Sequence, residues 1–313
     1  MKFYLAPMEG VTGYIYRNAC ETFFAGTDKY FMPFITPKPK KGFTSKELND
    51  ILPKHNEGLV TVPQILTNQA EDFTQTEKYL REYGYQEINL NLGCPSGTVT
   101  SKGRGAGFLG RTKALDEFLY KIYEKSEGDI SIKTRIGVEE PEEFYELLEI
   151  YNRYPIKELT IHSRVLKDYY KNTPHRNIYK YAEENSKNSL CYNGDIFTVK
   201  DYEELVQDCP KTQAVMLGRG MIMNPGLIRL IKEGEPVTKE ELKGFHDRVW
   251  EGYLLIMSGD IHAIYKMKEL WFYMGGMFAG AERYIKKIRK TDSRTEYETV
   301  VNALFREQEL IEK

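Results

Sequence analysis

The chain has 313 residues, and its 44 basic and 46 acidic side chains give a formal net charge of −2. Hydrophobic residues are 41% of the total and charged residues 29%, as in globular proteins with enough chain for a sizeable core. The near-neutral charge argues against a protein that binds nucleic acid with its whole surface, and the absence of an apolar run of ~18 residues argues against a transmembrane helix.

The N-terminus and the cysteines indicate a cytoplasmic protein. The first ten residues, MKFYLAPMEG, contain too short an apolar run for a secretion signal. The four cysteines, at positions 20, 94, 191 and 209, form no C-x-x-C pair, so no metal site or redox motif of that spacing is predicted. Scattered cysteines without a secretion signal are typical of reduced thiols in the cytoplasm. We therefore expect a cytoplasmic protein with no bound metal and no membrane association.

Eight short apolar segments alternate with amphipathic ones over the first 235 residues. Their length and their Ile, Val, Leu and Tyr content favour buried strands over buried helices. The predicted strands are Phe3–Ala6, Tyr30–Ile35, Val60–Leu66, Glu87–Leu92, Ile130–Ile136, Leu159–His162, Leu190–Asn193 and Ala214–Gly218. Helical patterns at 70–83, 115–126, 141–154 and 199–207 lie between them. This alternation predicts an α/β fold, a (β/α)8 TIM barrel, although a doubly wound open sheet has the same periodicity.

The pattern changes after residue 235, where capping signals begin a series of helices. Thr238 starts a T-x-x-E capping box that predicts a helix to about residue 258, and Asp260 is in position to cap a second helix. Ser293 starts another capping box, which predicts a last helix to the C-terminus. We therefore expect two domains, a catalytic barrel over 1–235 and a small helical bundle over 236–313.

Cys94 lies between a glycine and a proline directly after the fourth predicted strand. A cysteine on such a rigid loop is a candidate nucleophile or acid, although a packed thiol is as consistent with the motif. The segment 96–113 that follows has five glycines, no acidic residue and four basic residues, including Arg104. A flexible loop of charge +4 beside a thiol suits a phosphate-bearing partner.

Charged residues and glycine-containing motifs also lie at the C-terminal ends of later predicted strands. Lys133 at the mouth of a barrel needs an electron-rich cofactor ring, a phosphate or a local carboxylate, because burying an unpaired charge is costly. Glycines after the last two strands, in Asn-Gly-Asp at 193–195 and Gly-Arg-Gly at 218–220, favour a bound phosphate. No G-x-G-x-x-G follows a strand, so a Rossmann dinucleotide site is not predicted.

Seven motifs in this order resemble those of the tRNA-dihydrouridine synthases over almost the whole barrel. They are A-P-M-E-G-V-T at 6–12, P-Q-I at 63–65, N-L-G-C-P-S at 91–96, K-T-R-I-G at 133–137, H-S-R at 162–164, N-G-D-I at 193–196 and G-R-G at 218–220. The resemblance implies an FMN enzyme that reduces the C5–C6 double bond of a tRNA uridine, with NADPH or NADH as the transient reductant. It implies tRNA as the partner and no obligate protein partner, so we expect a monomer.

The resemblance also implies a role for each motif. Cys94 would be the general acid that protonates uracil C5 after hydride has left flavin N5 for C6, and a thiol with a reference pKa of ~8.5 is mostly protonated near neutrality. Asn91 and Arg164 would contact the uracil. The residues implied to bind the cofactor are Pro7, Met8, Glu9, Gln64, Lys133, His162, Asn193, Gly194, Asp195, Gly218 and Arg219.

The loop after His162 departs from the family's pattern. Val165 stands where the family often has threonine, and Asn172 stands two residues past Tyr170, where the family often has glycine. The path of this loop and the contacts that it makes to the base are therefore left open by the resemblance.

Two other functions fit part of the sequence. One is a flavin barrel that reduces a small free metabolite, as in the dihydroorotate dehydrogenases or the ene-reductases, and the other is a catalytically inactive barrel that binds RNA. The helical domain argues against the first, because a small substrate needs no such platform, and Cys94 and Lys133 argue against the second.

The net charge of the chain is near zero, but basic residues are clustered locally. The segment 283–290 has five basic residues in eight and no acidic one. Further lysines, at 38, 40, 41 and 46, follow the second strand. Each cluster is consistent with an ordinary solvated face, and together they predict a basic groove for a phosphate backbone. The predicted RNA contacts are Arg104, Arg283, Lys286, Lys287 and Lys290.

Overall fold

A computed structural model describes residues 1–38 and 42–311 of the chain. Within these residues, nine parallel strands form one sheet. The strands are β1 (Lys2–Leu5), β2 (Lys29–Phe31), β3 (Thr61–Val62), β4 (Gln64–Ile65), β5 (Glu87–Leu92), β6 (Asp129–Arg135), β7 (Leu159–His162), β8 (Leu190–Asn193) and β9 (Ala214–Leu217). All eight predicted strands are confirmed, although β2 is shorter than predicted and the third is divided into β3 and β4. Lys40 and Lys41 of the basic cluster lie outside the described residues.

Pro63 explains both the division of the third strand and the closure of the sheet. Proline has no backbone N–H, so it interrupts the ladder inside one continuous segment. β3 pairs with β2, whereas β4 pairs with β5. The strand order, β3-β2-β1-β9-β8-β7-β6-β5-β4, therefore begins and ends in the same stretch of chain. This order closes the strands into the predicted TIM barrel and rules out the open sheet.

Fourteen α-helices accompany the strands in the described residues. They are α1 (Tyr14–Phe23), α2 (Ser45–Ile51), α3 (Ala70–Glu82), α4 (Gly97–Thr100), α5 (Thr112–Lys125), α6 (Glu143–Tyr151), α7 (Arg176–Asn185), α8 (Val199–Asp208), α9 (Arg219–Met223), α10 (Leu227–Glu233), α11 (Lys239–Ile256), α12 (Asp260–Met274), α13 (Glu282–Ile288) and α14 (Arg294–Glu307). The four helices predicted in the barrel region are α3, α5, α6 and α8. Among the described helices, none has the length and apolar character needed to cross a membrane.

The chain folds into two compact units. Unit 1 consists of Met1–Pro7, Asp28–Asp195 and Glu203–Leu217, and it contains every strand named above. Unit 2 consists of Met8–Thr27, Ile196–Tyr202 and the residues from 218 onward. Segments from before residue 235 thus belong to unit 2. The predicted division at residue 235, between a catalytic barrel and a helical tRNA-binding domain, stays a prediction.

The helix caps of unit 2 follow the sequence signals at two positions of three. Thr238 accepts a hydrogen bond from the N–H of Glu241 in a reciprocal capping box, as predicted. Ser293 caps α14 by accepting a hydrogen bond from the N–H of Glu296, which is one half of the predicted capping box, and α14 ends at Glu307 and not at the C-terminus. The prediction for Asp260 is wrong, because it is the first residue of α12 and Gly259 is the cap. The φ of Gly259 is +103°, a conformation open to glycine and strained for aspartate.

Apolar side chains fill the interior of the barrel in unit 1. The buried cluster consists of Tyr4, Ala6, Phe31, Val62, Cys191, Ala214 and Met216. This packing leaves the carboxyl ends of the strands as the place where polar side chains collect.

Candidate functional site

Strand register brings the predicted site residues of unit 1 side by side. Asn91 at the end of β5 lies opposite Lys133 of β6. His162 of β7 lies opposite Arg135 on one side and Asn193 of β8 on the other. All five residues are at the carboxyl ends of adjacent strands, where TIM-barrel enzymes carry their active sites.

A chain of hydrogen-bonded, buried amide side chains links β4, β5 and β6. The Ser131 hydroxyl accepts from Asn89, 2.9 Å away, and Asn89 in turn accepts from Gln64 at 2.7 Å. Gln64 also accepts a 2.7 Å hydrogen bond from Asn91. Because each amide orients the next, the position of Asn91 is fixed by side chains of β4, β5 and β6. Asn89 was not predicted as a site residue, and nothing in its sequence context distinguishes it from an ordinary core position.

Asn91 in turn holds the loop that carries Cys94. Its side-chain oxygen accepts hydrogen bonds from the N–H groups of Gly93 and Cys94, at 3.0 and 2.9 Å. The Cys94 carbonyl accepts a 3.0 Å hydrogen bond from the N–H of Ala106. Cys94 is the only one of the four cysteines that is not fully buried. Its thiol therefore lies on a loop fixed on both sides of the residue.

The segment 96–113 is folded, which corrects the expectation of a flexible loop. It contains α4 and a 3-10 helix over Gly105–Phe108, and Phe108 is buried. Gly105 has a φ of +55°, and a Cβ there would lie 2.7 Å from the Cys94 carbonyl oxygen. The glycine thus permits close approach to the cysteine loop. Arg104, the residue before it, is the N-cap of the 3-10 helix, and its predicted RNA contact stays a prediction.

Lys133 is a partly buried cation with a neutral partner. Its ammonium donates to the side-chain oxygen of Asn193 at 2.7 Å. In the described part of the chain, no carboxylate pairs with it. Burial, and then the charge of Arg135, lower the pKa of Lys133 to about 8, while Cys191 and, to a smaller extent, Cys94 act in the opposite direction. The Lys133 ammonium is therefore charged at neutral pH. The local carboxylate that the sequence offered as one possible partner is not found among the described residues.

Arg164 is held by protein groups on three sides. Its guanidinium forms a two-point ion pair with Asp195, and its Nε donates to the carbonyl of Asn172 at 2.6 Å. A terminal nitrogen of the Arg164 guanidinium also lies 3.2 Å from Nε2 of His162. Because a guanidinium can only donate, that nitrogen accepts, and the proton of the neutral imidazole is on Nδ1. Arg164 is 1% exposed, so its predicted uracil contact and the predicted phosphate contact of Asp195 stay predictions.

Asn172 closes the loop whose path the resemblance left open. Its side-chain nitrogen donates to Asp168, a buried carboxylate that also accepts from the N–H of Val165. The Asn172 carbonyl accepts from Arg164. An asparagine with these contacts therefore closes the turn where the family often has a glycine.

The remaining predicted cofactor residues are divided between the units. In unit 1, Asn193 donates to the carbonyl of Met216 at 2.7 Å, and a Cβ on Gly194 would lie 2.2 Å from the Tyr192 hydroxyl. In unit 2, Gly218 and Arg219 begin α9, and the Arg219 guanidinium lies 5.4 Å from the centre of the Phe197 ring. Pro7 ends a segment of unit 1, and unit 2 begins with Met8 and Glu9. Their roles toward a cofactor stay predictions.

The basic segment of unit 2 forms α13 and its C-terminal end. Arg283 is already paired, at 3.2 Å from Glu307 and 2.5 Å from the Tyr284 hydroxyl. Lys286, Lys287 and Lys290 are exposed. Arg289, which was not predicted as a contact, lies over the ring of the 64%-exposed Phe272 at 5.8 Å. This pairing joins α12 to α13 and has no signal in the sequence.

Comparison with known proteins gives one consistent family. The family model described as dihydrouridine synthase matches residues 4–311. The chain is 31% identical over 249 residues to the probable tRNA-dihydrouridine synthase of Staphylococcus aureus strain N315, covering 77% of this chain and 74% of the relative. It is 27% identical over 232 residues to tRNA-dihydrouridine synthase B of Pasteurella multocida, covering 74% and 69%.

Solved structures share the fold at low identity. Morphinone reductase superposes with a TM-score of 0.52 at 13% identity, covering 78% of this chain and 88% of that one. A variant of NCR from Zymomonas mobilis superposes with a TM-score of 0.53, also at 13% identity, covering 78% and 90%. This likeness establishes the barrel architecture alone.

Proposed function

The chain belongs to the dihydrouridine synthase family, and on this premise we propose that it reduces uridines of tRNA to 5,6-dihydrouridine. We propose FMN as the resident cofactor, NADPH or NADH as the reductant, and a monomer as the working form. The observation that carries the proposal is the juxtaposition of Cys94, on its fixed loop, with the cation Lys133 at the carboxyl ends of β5 and β6.

The residues of unit 1 fit the electron-rich ring of a flavin. Lys133 is partly buried, with an amide oxygen and no carboxylate against its ammonium among the described residues. A buried cation of this kind is stabilised by an electron-rich ring edge or an anion. Gln64, at 0% exposure, and Asn91 add amide groups to the same end of the barrel. We propose that Gln64 and Lys133 face the pyrimidine edge of the ring, with His162 and Asn193 supporting them.

The mechanism assigns proton transfer to the protein. Bound FMN supplies the hydride that reaches C6 of the uracil. Cys94 donates its thiol proton to C5, so that one S–H bond breaks, one C–H bond forms, and the thiolate regains a proton from water. Asn91 keeps the cysteine loop in position through the two N–H groups that it binds. The uridine must leave its stack in the folded tRNA to reach this site, at a cost of a few kcal/mol.

Loss of the gene tests the proposed function in the cell. We expect tRNA from a deletion strain to lose dihydrouridine at one or more positions, and a plasmid copy to restore it. The measurement is position-by-position mapping of dihydrouridine in total tRNA. An unchanged map in a strain without a paralogue would refute the proposal. A second copy of the gene that carries Cys94→Ala serves as the matched control for expression.

Unit 2 carries a surface suited to the phosphate backbone of tRNA. We call Lys286, Lys287 and Lys290 the α13 lysines; all three are exposed, and no described carboxylate forms an ion pair with them. The neighbouring Arg289 lies over the exposed Phe272, and Lys268 of α12 lies 5.0 Å from the ring centre of Tyr265. Cations interleaved with exposed aromatic rings are typical of surfaces that contact phosphates and stacked bases. We propose that these side chains bind the tRNA.

Replacement of the α13 lysines by alanine is expected to weaken tRNA binding without changing its sequence preference. Removing one lysine–phosphate ion pair should lower the slope of log K against log salt by about 1, so the slope of the triple variant should be smaller by up to about 3. Fluorescence titration of tRNA at several salt concentrations measures this slope. Lys121, Lys125 and Lys180, exposed on the outer helices α5 and α7, provide a matched triple variant. An equal decrease in both triple variants would contradict the assignment.

A further inference from the structure

One buried arginine joins the cysteine loop to the loop after β7. Arg135, at the end of β6, is 0% exposed. Its Nε donates to the carbonyl of Gly93 at 3.0 Å. Its two terminal nitrogens donate to the carbonyls of Val165 at 2.9 Å and Tyr169 at 2.7 Å. Three acceptors from two separate loops thus share one planar guanidinium, an arrangement that lysine cannot reproduce.

The loop after β7 is strained at the residue that Arg135 binds. Tyr169 has a φ of +50° and a ψ of −97°, and it is the only non-glycine residue with a positive φ among the described residues. Such a conformation is unfavourable for a residue with a side chain and persists only where surrounding contacts enforce it. The hydrogen bond from Arg135 to the Tyr169 carbonyl is one such contact. The guanidinium also lies 5.3 Å from the centre of the Tyr170 ring, which is 6.0 Å from that of His162.

The same guanidinium acts on the residue next to Cys94. Asn91 binds the N–H groups of Gly93 and Cys94 and belongs to β5, the strand that leads into this loop. Arg135 binds the opposite side of the same peptide, the carbonyl of Gly93, from the neighbouring strand β6. The peptide that joins Gly93 to Cys94 is therefore held from both sides. A shift of this peptide would move the thiol directly.

We propose that Arg135 is a positioning residue that sets the place of the Cys94 thiol by coupling its loop to the strained turn at Tyr169. The proposal rests on the proposed function in one respect, the role of Cys94 as proton donor. A change of about 1 Å in the place of a reacting group can lower a rate by roughly 100-fold. Arg135, which is 0% exposed, would thus affect the protonation step through the loop that carries Cys94.

The test uses the purified holoenzyme and the reactivity of its one accessible cysteine. Cys94 is partly exposed, whereas Cys20, Cys191 and Cys209 are buried, so iodoacetamide labelling followed by mass spectrometry reports on Cys94. In Arg135→Lys we expect the Cys94 labelling rate and its pH profile to change by threefold or more. We expect kcat for tRNA reduction to fall roughly 10- to 100-fold with KM for tRNA nearly unchanged. The rate of flavin reduction by NADPH should stay within twofold of wild type.

Arg81→Lys is the matched control. Arg81 also holds backbone carbonyls, those of Tyr85 and Gln86, but at the amino end of β5. Should Arg135→Lys expose the three buried cysteines to labelling, Arg135→Gln replaces it, because a neutral amide is less costly to bury than an ammonium. Unchanged Cys94 labelling and kcat in the folded variant, or an equal change in Arg81→Lys, would overturn the proposal. If no form of the protein reduces tRNA, the proposed function fails, whereas the labelling rates still decide the role of Arg135.

Discussion

The Cys94→Ala enzyme is expected to retain its flavin and to lose most of its turnover. Removal of a positioned general acid lowers a rate by roughly 10²- to 10⁴-fold. Flavin content should be unchanged, because Asn91 holds this loop through the backbone N–H groups of Gly93 and Cys94, which alanine at position 94 retains. Single-turnover reduction of unmodified tRNA, with the flavin spectrum followed in parallel, measures both quantities.

Cys209→Ala is the control for loss of a thiol. Cys209 is 1% exposed, just past the end of α8 in unit 1, and is not among the residues proposed for the site. Its variant should turn over at close to the wild-type rate. Turnover by Cys94→Ala at the wild-type rate, on the same tRNA, would show that another group delivers the proton.

The Lys133→Met enzyme is expected to bind FMN roughly 10- to 100-fold more weakly, the range for loss of a hydrogen bond to a charged group. Methionine is close to lysine in length but has no charge. In the wild-type protein the pKa of Lys133 is lowered to about 8, so the ammonium is present below that pH and is lost above it. Flavin affinity should therefore fall as the pH rises through about 8. Titration of the flavin-free protein with FMN from pH 6.5 to 9.5 measures this dependence.

The pH dependence of FMN affinity distinguishes an effect of the Lys133 charge from an effect of the shape of its side chain. In Lys133→Met the affinity should be low and nearly independent of pH across this range. Lys157→Met is a suitable control, since Lys157 is an exposed lysine of unit 1 that pairs with Asp129 at 2.9 Å. A wild-type affinity that stays constant through pH 8 would contradict the role given to the Lys133 ammonium.

The sequence predicted the barrel well because its signals are local. Each strand is a short, mainly apolar segment, and the polar residues near its C-terminal end, such as Asn91 and Lys133, lie at the carboxyl end of the barrel because of chain order alone. The division of the third strand at Pro63 could also have been anticipated, since a proline cannot donate to either neighbour.

The parts that sequence reasoning missed depend on contacts between distant residues. Arg135 is two positions from Lys133, yet its three acceptors lie 30, 34 and 42 residues away along the chain. Arg164 ends the H-S-R motif, and the ion pair of its guanidinium with Asp195 has no signal in the sequence. Glycine-rich composition likewise suggested flexibility after Cys94, where Gly105 instead permits close packing. Such features follow from which side chains the closed barrel brings together, and no periodicity records them.

The most direct test of the central claim is reduction of an unmodified tRNA transcript by the purified protein with NADPH, followed by mass spectrometry of the nucleosides. We predict a gain of two hydrogens at one or a few uridines, matched by tRNA-dependent oxidation of NADPH and strongly slowed in Cys94→Ala. Oxidation of NADPH that is stimulated by a free pyrimidine such as orotate, with no dihydrouridine formed in the transcript, would contradict the account and favour a small-metabolite reductase.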